Sequence, residues 1–194
     1  MPYHHGNLRE VLIEKAAEVI DEDGIGALSL RAVARRAGVS HGAPAHHFSD
    51  KAGLLTALAT HAMEHFAAIL AEASLEAGDS ALERVRAIGR AYVRFAVQNP
   101  AYFRIVTRIE LIRRDDPEFD ASYQATFDMV KNAVTAAQRE GWERNTDPIA
   151  LVIAAWSAVH GLATLWLDGA LEDRVGPVDL EATAAQVIRV VTTG

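Results

Sequence analysis

Apolar residues recur along this chain at intervals of three and four almost everywhere, and no run alternates strictly between apolar and polar residues between turn signals. That periodicity points to an all-α fold. The first stripe, Leu12, Ala16, Val19 and Ile20, belongs to a helix that opens at Asn7, with Glu10 three residues after the capping side chain, and ends at Gly24 and Gly26. Ser29 is placed to cap a second, short helix that buries Leu30, Val33, Ala34 and Ala37 and stops at Gly38. Ser40 is placed to cap a third that runs to Phe48. Ser49 or Asp50 then starts a long fourth helix through Leu54, Leu55, Leu58, Met63, Phe66 and Leu70.

After the break at Gly78-Asp79-Ser80 the helices lengthen, and Pro100, Pro117 and Pro148 punctuate them. The pattern predicts helices over 81–98, 101–113, 118–140, 149–171 and 180–191, the last with Leu180, Ala184, Val187, Ile188 and Val191 on one face. Ile149 to Leu167 carries no formal charge and approaches a bilayer-spanning length. It reads as a buried helix, because Asp147 and Asp168 flank it and no Lys or Arg stands near either end. No membrane association is therefore expected. The polar stretch Met1 to Asn7 does not read as a secretory signal, and the absence of cysteine excludes disulfides, thiolate metal sites and thiol catalysis, so a cytoplasmic location is expected.

The chain has 194 residues with a formal charge of −7, yet the window from Ser29 to Lys51 is +3. Arg31, Arg35, Arg36 and Lys51 face only Asp50 there, which leaves −10 for the rest. A protein acidic overall still binds a polyanion when its cations share one surface. The same window has the form helix, glycine turn, helix, with small residues where two helices must cross closely.

The stretch from Leu28 through Ala43, followed by His47-Phe48 and Lys51-Ala-Gly-Leu-Leu55, resembles the DNA-binding domain of the tetracycline-repressor (TetR) family of transcriptional regulators. Downstream, Trp156-Ser-Ala-Val-His160-Gly161 resembles the Trp-His-Gly signature of one C-terminal class in that family. The resemblance implies a helix-turn-helix DNA-binding domain over 6–66 and a ligand-binding, dimer-forming helical domain over 80–192. It implies that Ser40 to Phe48 is the recognition helix, that Arg31 approaches the DNA backbone, and that His41, Gly42 and Ala43 meet base edges. His46, His47 and Lys51 then match the phosphate-contacting side, and Phe48 matches the core. Two positions depart from the pattern. Pro44 has no N–H, so the helix is expected to begin near Ala43, and Ala45 stands where the family usually carries a phosphate-binding tyrosine. His46 and His47 are candidates to replace that contact. Histidine ordinarily titrates near pH 6.5, so operator affinity is expected to rise as pH falls.

Two motifs suggest rival chemistry. Gly38-Val-Ser40-His-Gly42 satisfies the G-x-S-x-G pattern of a serine nucleophile elbow, but that elbow needs a strand before the serine and here a helix precedes. His61-Ala-Met-Glu64-His65 places two histidines one helical turn apart, as in zinc hydrolases, although no third ligand is marked out. The expectation is therefore of no catalytic residue, no metal and no cofactor.

For the C-terminal half, the resemblance favours an apolar or aromatic effector among Phe95, Tyr102, Phe103, Val106, Ile109, Tyr123, Phe127 and Trp156, with Arg104, Arg108 and Glu110 adding polarity if they point inward. His160, Leu162, Leu165, Trp166, Val187 and Val191 are candidates for a homodimer interface in an intermolecular four-helix bundle. The expected activity is regulation of transcription, most simply repression, through a palindromic double-stranded DNA operator. The alternative is an all-helical small-molecule binding protein without operator recognition.

Overall fold

The computed structural model describes residues 8–193, and every regular element among them is helical. In chain order these are α1 (Leu8–Asp23), α2 (Leu30–Ala37), α3 (Ala43–Phe48), α4 (Lys51–Glu76), α5 (Ala81–Gln98), α6 (Pro100–Val106), α7 (Pro117–Glu140), α8 (Pro148–Leu167), α9 (Ala170–Val175) and α10 (Leu180–Thr192). Single 3-10 turns lie at Ile25–Ala27 and Ile109–Leu111. The capping role expected of Asn7 lies outside the described residues.

Side-chain caps decide where several of these helices begin, because the first N–H groups of a helix have no partner inside it. Ser29 accepts from Ala32 N at 3.1 Å, Asp50 from Gly53 N at 2.8 Å and Ser80 from Glu83 N at 3.4 Å. Asp147 accepts from Ile149 N at 2.8 Å and Asp179 from Ala182 N at 2.7 Å. The third helix starts at Ala43 behind Gly42, as Pro44 led one to expect, but Ser40 does not cap it with its side chain: the Ser40 carbonyl accepts from Ala43 N at 3.0 Å.

Two predicted helices are shorter than their periodicity suggested. The 101–113 segment stops at Val106, where the Thr107 hydroxyl donates to the carbonyls of Phe103 and Arg104 and competes with the helical ladder. The chain then turns once and is extended at Ile112, which is buried. The 149–171 segment breaks at Gly169, whose left-handed φ of 71° ends α8 and opens α9.

The chain divides into two compact units that are not consecutive in sequence. The first comprises residues 8–64 together with Pro100–Tyr123, and the second comprises 65–99 with 124–193. In the first, Leu12, Ile13, Ala16, Ile20, Leu28, Val33, Ala34, Leu54 and Leu58 are all essentially inaccessible. Each large apolar side chain buried this way stabilises by about 1.5–3 kcal/mol. In the second, α5, α8 and α10 pack around Val93, Val159, Leu162, Ala184 and Ile188. A neighbouring cluster of Ala81, Val85, Val134, Ala137 and Val152 ties in α7.

Helices α4 and α8 are each long and apolar enough to cross a membrane by length and composition alone. They differ in how that surface is covered: 61% of the most apolar stretch of α4 is buried, against 28% for α8. Ile153, Trp156 and Leu165 of α8 are 51%, 42% and 48% exposed, so this helix presents an apolar face that the chain itself does not cover.

Candidate nucleic-acid interface

The turn between α2 and α3 is built by Gly38, which adopts φ 68°, ψ 29°. Its N–H reaches the Arg35 carbonyl at 3.3 Å and Val39 N reaches Ala34 O at 3.0 Å, a paired closure that ends α2 and requires the left-handed conformation glycine adopts freely. Pro44 sits in the first turn of α3, where its missing N–H costs nothing, and it is buried. One turn later Phe48 is 4% exposed, with the Arg9 guanidinium 5.9 Å above its ring.

Those two anchors roll the rest of the segment outward. Ser40, His41, Gly42, His46 and His47 are exposed, Ala43 is half-buried, and Arg31 and Lys51 are exposed on the flanking helices. Ala45 is exposed as well, so a hydroxyl is missing from the outer face. Gly42 differs in kind from Gly38. Its φ of −81° suits any residue, and a Cβ added there would meet nothing within 4 Å. The fold does not need glycine at 42, and the backbone there is open to approach.

The charge of the window is not all available. Arg36 pairs with Glu22 and, at 3.6 Å, with Glu18 on α1. Its pKa is raised, first by the Glu22 hydrogen bond, and that of Glu22 is lowered by the same bond. Asp50, the one acid in the window, caps Gly53 and pairs with Arg113 at 2.8 Å, which together hold its carboxyl below the ordinary range. Among the described residues Arg31, Arg35 and Lys51 form no ion pair, so these three supply the positive surface. Sequence reasoning missed Arg113, which is 63 residues from its partner and carries no local signal.

The rival motifs fare differently. Ser40 follows helix α2 and a turn, with no strand among the described residues. His61 lies edge-on to Tyr102 at 5.6 Å, and no group of three or more metal-binding side chains forms among the described residues.

The eight effector candidates do not gather in one unit. Tyr102, Phe103, Val106, Ile109 and Tyr123 belong to the first, and Phe95, Phe127 and Trp156 to the second. Phe103 is buried, Tyr123 stacks on Phe119 at 6.0 Å, and Ile109 is 38% exposed. Burial holds the half-buried Tyr102 hydroxyl above the ordinary tyrosine value, and Glu14 and Asp21 reinforce the effect. Arg104, Arg108 and Glu110 are exposed and do not line an interior: Arg104 lies 3.6 Å from Asp21 and Arg108 2.6 Å from Glu110. In the second unit Phe95 packs on Phe66 at 4.8 Å, Phe127 covers the Val134 cluster, and the Trp156 indole N–H donates to the Tyr92 hydroxyl at 3.4 Å. An open crevice of about 250 Å³ also lies in this unit, floored by Ala73, Ala77, Ala87 and Ala91 and rimmed by Glu76, Arg90 and Arg94.

Of the six interface candidates, Leu162 is corrected. It is 6% exposed and packs inside its own chain against Val93, Val159, Ala184 and Ile188. Leu165 is exposed, while His160, Trp166, Val187 and Val191 are half-buried.

A short helix pair joined through a left-handed glycine, with a cationic and imidazole-bearing outer face, defines a helix-turn-helix DNA-binding protein. The family model described as "Bacterial regulatory proteins, tetR family" matches residues 12–58, and "Tetracyclin repressor-like, C-terminal domain" matches 85–191. The chain belongs to the TetR family of transcriptional regulators. It is 36% identical over 80 residues to the HTH-type transcriptional regulator BetI of Stenotrophomonas maltophilia, a match spanning 41% of this chain and 41% of that relative, so it covers less than half of the curated relative's length. Over the full length of both chains it is similar to a Rhodococcus sp. RHA1 protein of unknown function, at 32% identity and a TM-score of 0.83. The fold is shared with the transcriptional regulator FadR from Bacillus subtilis, solved in complex with stearoyl-CoA, at 21% identity, TM-score 0.71, and coverage of 95% of this chain and 98% of that one.

Proposed function

We propose that this protein is a cytoplasmic, ligand-responsive repressor that binds a palindromic operator as a homodimer, with 6–66 as its DNA-reading segment and 80–192 as its effector and dimer segment. The observation that carries the reading is the outer face of α3: exposed imidazoles at His46 and His47, beside a glycine at 42 where a Cβ would meet nothing within 4 Å and the backbone is open to a partner. In this reading Arg31, Lys51 and the two imidazoles hold phosphates and fix the register, while His41, Gly42 and Ala43 meet base edges and Ser40 supports their approach. Short side chains at Gly42 and Ala43 favour contacts made by the backbone and by His41.

Two recognition helices separated by about 34–36 Å are needed to read two half-sites, so a dimer follows from the function. The uncovered apolar face of α8 supports that assembly, with Leu165 and Trp166 on α8 and Val187 and Val191 on α10 as its proposed contacts. The Trp-His-Gly class is proposed on Trp156, His160 and Gly161. An apolar effector is proposed near Phe95, Phe127 and Trp156; the acyl-CoA bound by FadR from Bacillus subtilis supports a ligand with a long apolar part. An effector that prefers one arrangement of the dimer lowers operator affinity by linkage, and no catalytic step is required.

The test is titration of the protein with DNA flanking its own gene at several salt concentrations, against unrelated duplex of equal length. Specific binding to an inverted repeat, weakened by Arg31→Ala and by His47→Ala, is the expected result. Binding without preference over competitor would favour a small-molecule binding protein that has lost operator recognition, the outcome to which Ala45 points.

A further inference from the structure

The junction between α3 and α4 is strained. Ser49 adopts φ 64°, ψ −55°, and the Asp50 N–H reaches back to the Phe48 carbonyl at 2.7 Å, a γ-turn of the positive-φ kind that side-chain-bearing residues rarely adopt. The same carbonyl is pressed onto the first turn of α4, since a Cβ at Gly53 would collide with it. The chain turns from α3 into α4 over residues 48–53, where the Asp50 cap and the absence of a side chain at Gly53 favour the turn but the positive φ of Ser49 opposes it.

What holds the junction comes from far along the chain. The Arg113 backbone N–H donates to Thr56 Oγ1 at 2.9 Å, and Thr56 is 3% exposed. Its guanidinium donates to Asp50 Oδ2 at 2.8 Å, while Asp50 Oδ1 accepts from Gly53 N at 2.8 Å. Ile112, buried beside it, anchors the extended strap. One carboxylate therefore joins the cap of α4, the strained turn and the strap after α6.

We infer that Arg113 is a positioning residue for operator reading, acting through Asp50 to hold the α3–α4 turn at the angle DNA requires. The inference rests on the regulator reading above. It extends the DNA-reading apparatus beyond α1–α4, to a strap that begins after α6. Arg113 and Asp50 are both about half exposed, and exposed ion pairs add little global stability, so the effect belongs to orientation.

Four full-length proteins decide it: wild type, Arg113→Ala, Asp50→Asn, which keeps an oxygen for Gly53 while losing the charge, and the double variant. Each single variant is expected to weaken affinity for the flanking-DNA duplex by about tenfold, and the double variant little more, because both remove one interaction. Hydrogen exchange at Asp50 and Gly53 should quicken, thermal midpoints should barely move, and Arg113→Lys should recover part of the affinity. The slope of log affinity against log salt should stay that of wild type. A slope reduced by about 1 in Arg113→Ala would instead make Arg113 a phosphate contact and overturn positioning. Wild-type affinity with unchanged exchange would overturn it too. If wild type shows no operator preference, the regulator reading itself falls and the role of Arg113 with it.

Discussion

The Tyr92 hydroxyl lies 2.8 Å from Nδ1 of His160, and the Trp156 indole N–H donates to that same hydroxyl from 3.4 Å. The arrangement joins α5 to α8 through a polar contact at the edge of an aromatic group in which Phe66 meets Tyr92 edge-on at 5.2 Å. Burial holds the His160 pKa below its ordinary 6.5, so the imidazole stays neutral near pH 7.

That shift has a sign. Between the lowered folded value and 6.5 the unfolded chain binds more protons, so the contribution is complete above about pH 6.5 and is lost as pH falls through the folded value. Urea midpoints measured at pH 7.5, 6.5 and 5.5 should decline with acidification in wild type and decline less in His160→Gln. Parallel declines in the two proteins would show that His160 does not cause the loss.

Gly42 and Gly53 should separate folding from recognition. Gly53→Ala drives a Cβ into the Phe48 carbonyl, a backbone atom that cannot swing aside, and should cost about 1–3 kcal/mol by denaturant unfolding. Gly42→Ala meets open space and should change stability by less than about 0.5 kcal/mol, yet weaken operator binding. Full operator affinity in Gly42→Ala would remove the argument that glycine serves close approach.

Two leucines one turn apart on α8 should behave oppositely. Leu165→Asp adds charge to an exposed apolar face, so sedimentation should show a folded monomer with weakened operator binding. Leu162→Ala opens a hole among Val93, Val159, Ala184 and Ile188 and should cost about 2–5 kcal/mol. A dimer that survives Leu165→Asp would move the interface away from this face.

The arginines of the DNA-reading segment should divide by their partners. Arg31→Ala should lower the salt slope of operator binding by about 1, the mark of a lost phosphate contact. Arg36→Ala should leave the slope unchanged, since Arg36 is held by Glu18 and Glu22. Equal slope losses would mean that Arg36 leaves α1 when DNA binds.

What could be read before the structure was local. Ser29 and Asp50 start helices where their places before apolar runs suggested, through hydrogen bonds to N–H groups three residues on, and Gly38 ends one through its own backbone freedom. The 3.6-residue period likewise made the all-α class legible, while the buried position of Phe48, 4% exposed, was pointed to by the family resemblance. Local spacing and capping were enough for most of the helices, for the turn at Gly38 and for the motif that marks the family.

Tertiary structure decided which surfaces those helices keep. Periodicity placed Leu162 and Leu165 alike among the interface candidates, and only packing against α5 and α10 put one inside and left the other out. Arg36 counted as a cation for DNA until α1 supplied Glu22, and 101–113 scanned as one helix until the Thr107 hydroxyl ended it and Thr56 captured Arg113 N. The clamp on Asp50 spans 63 residues. A hydrogen bond at that separation depends on where folding brings two segments, and no pattern within either segment encodes it.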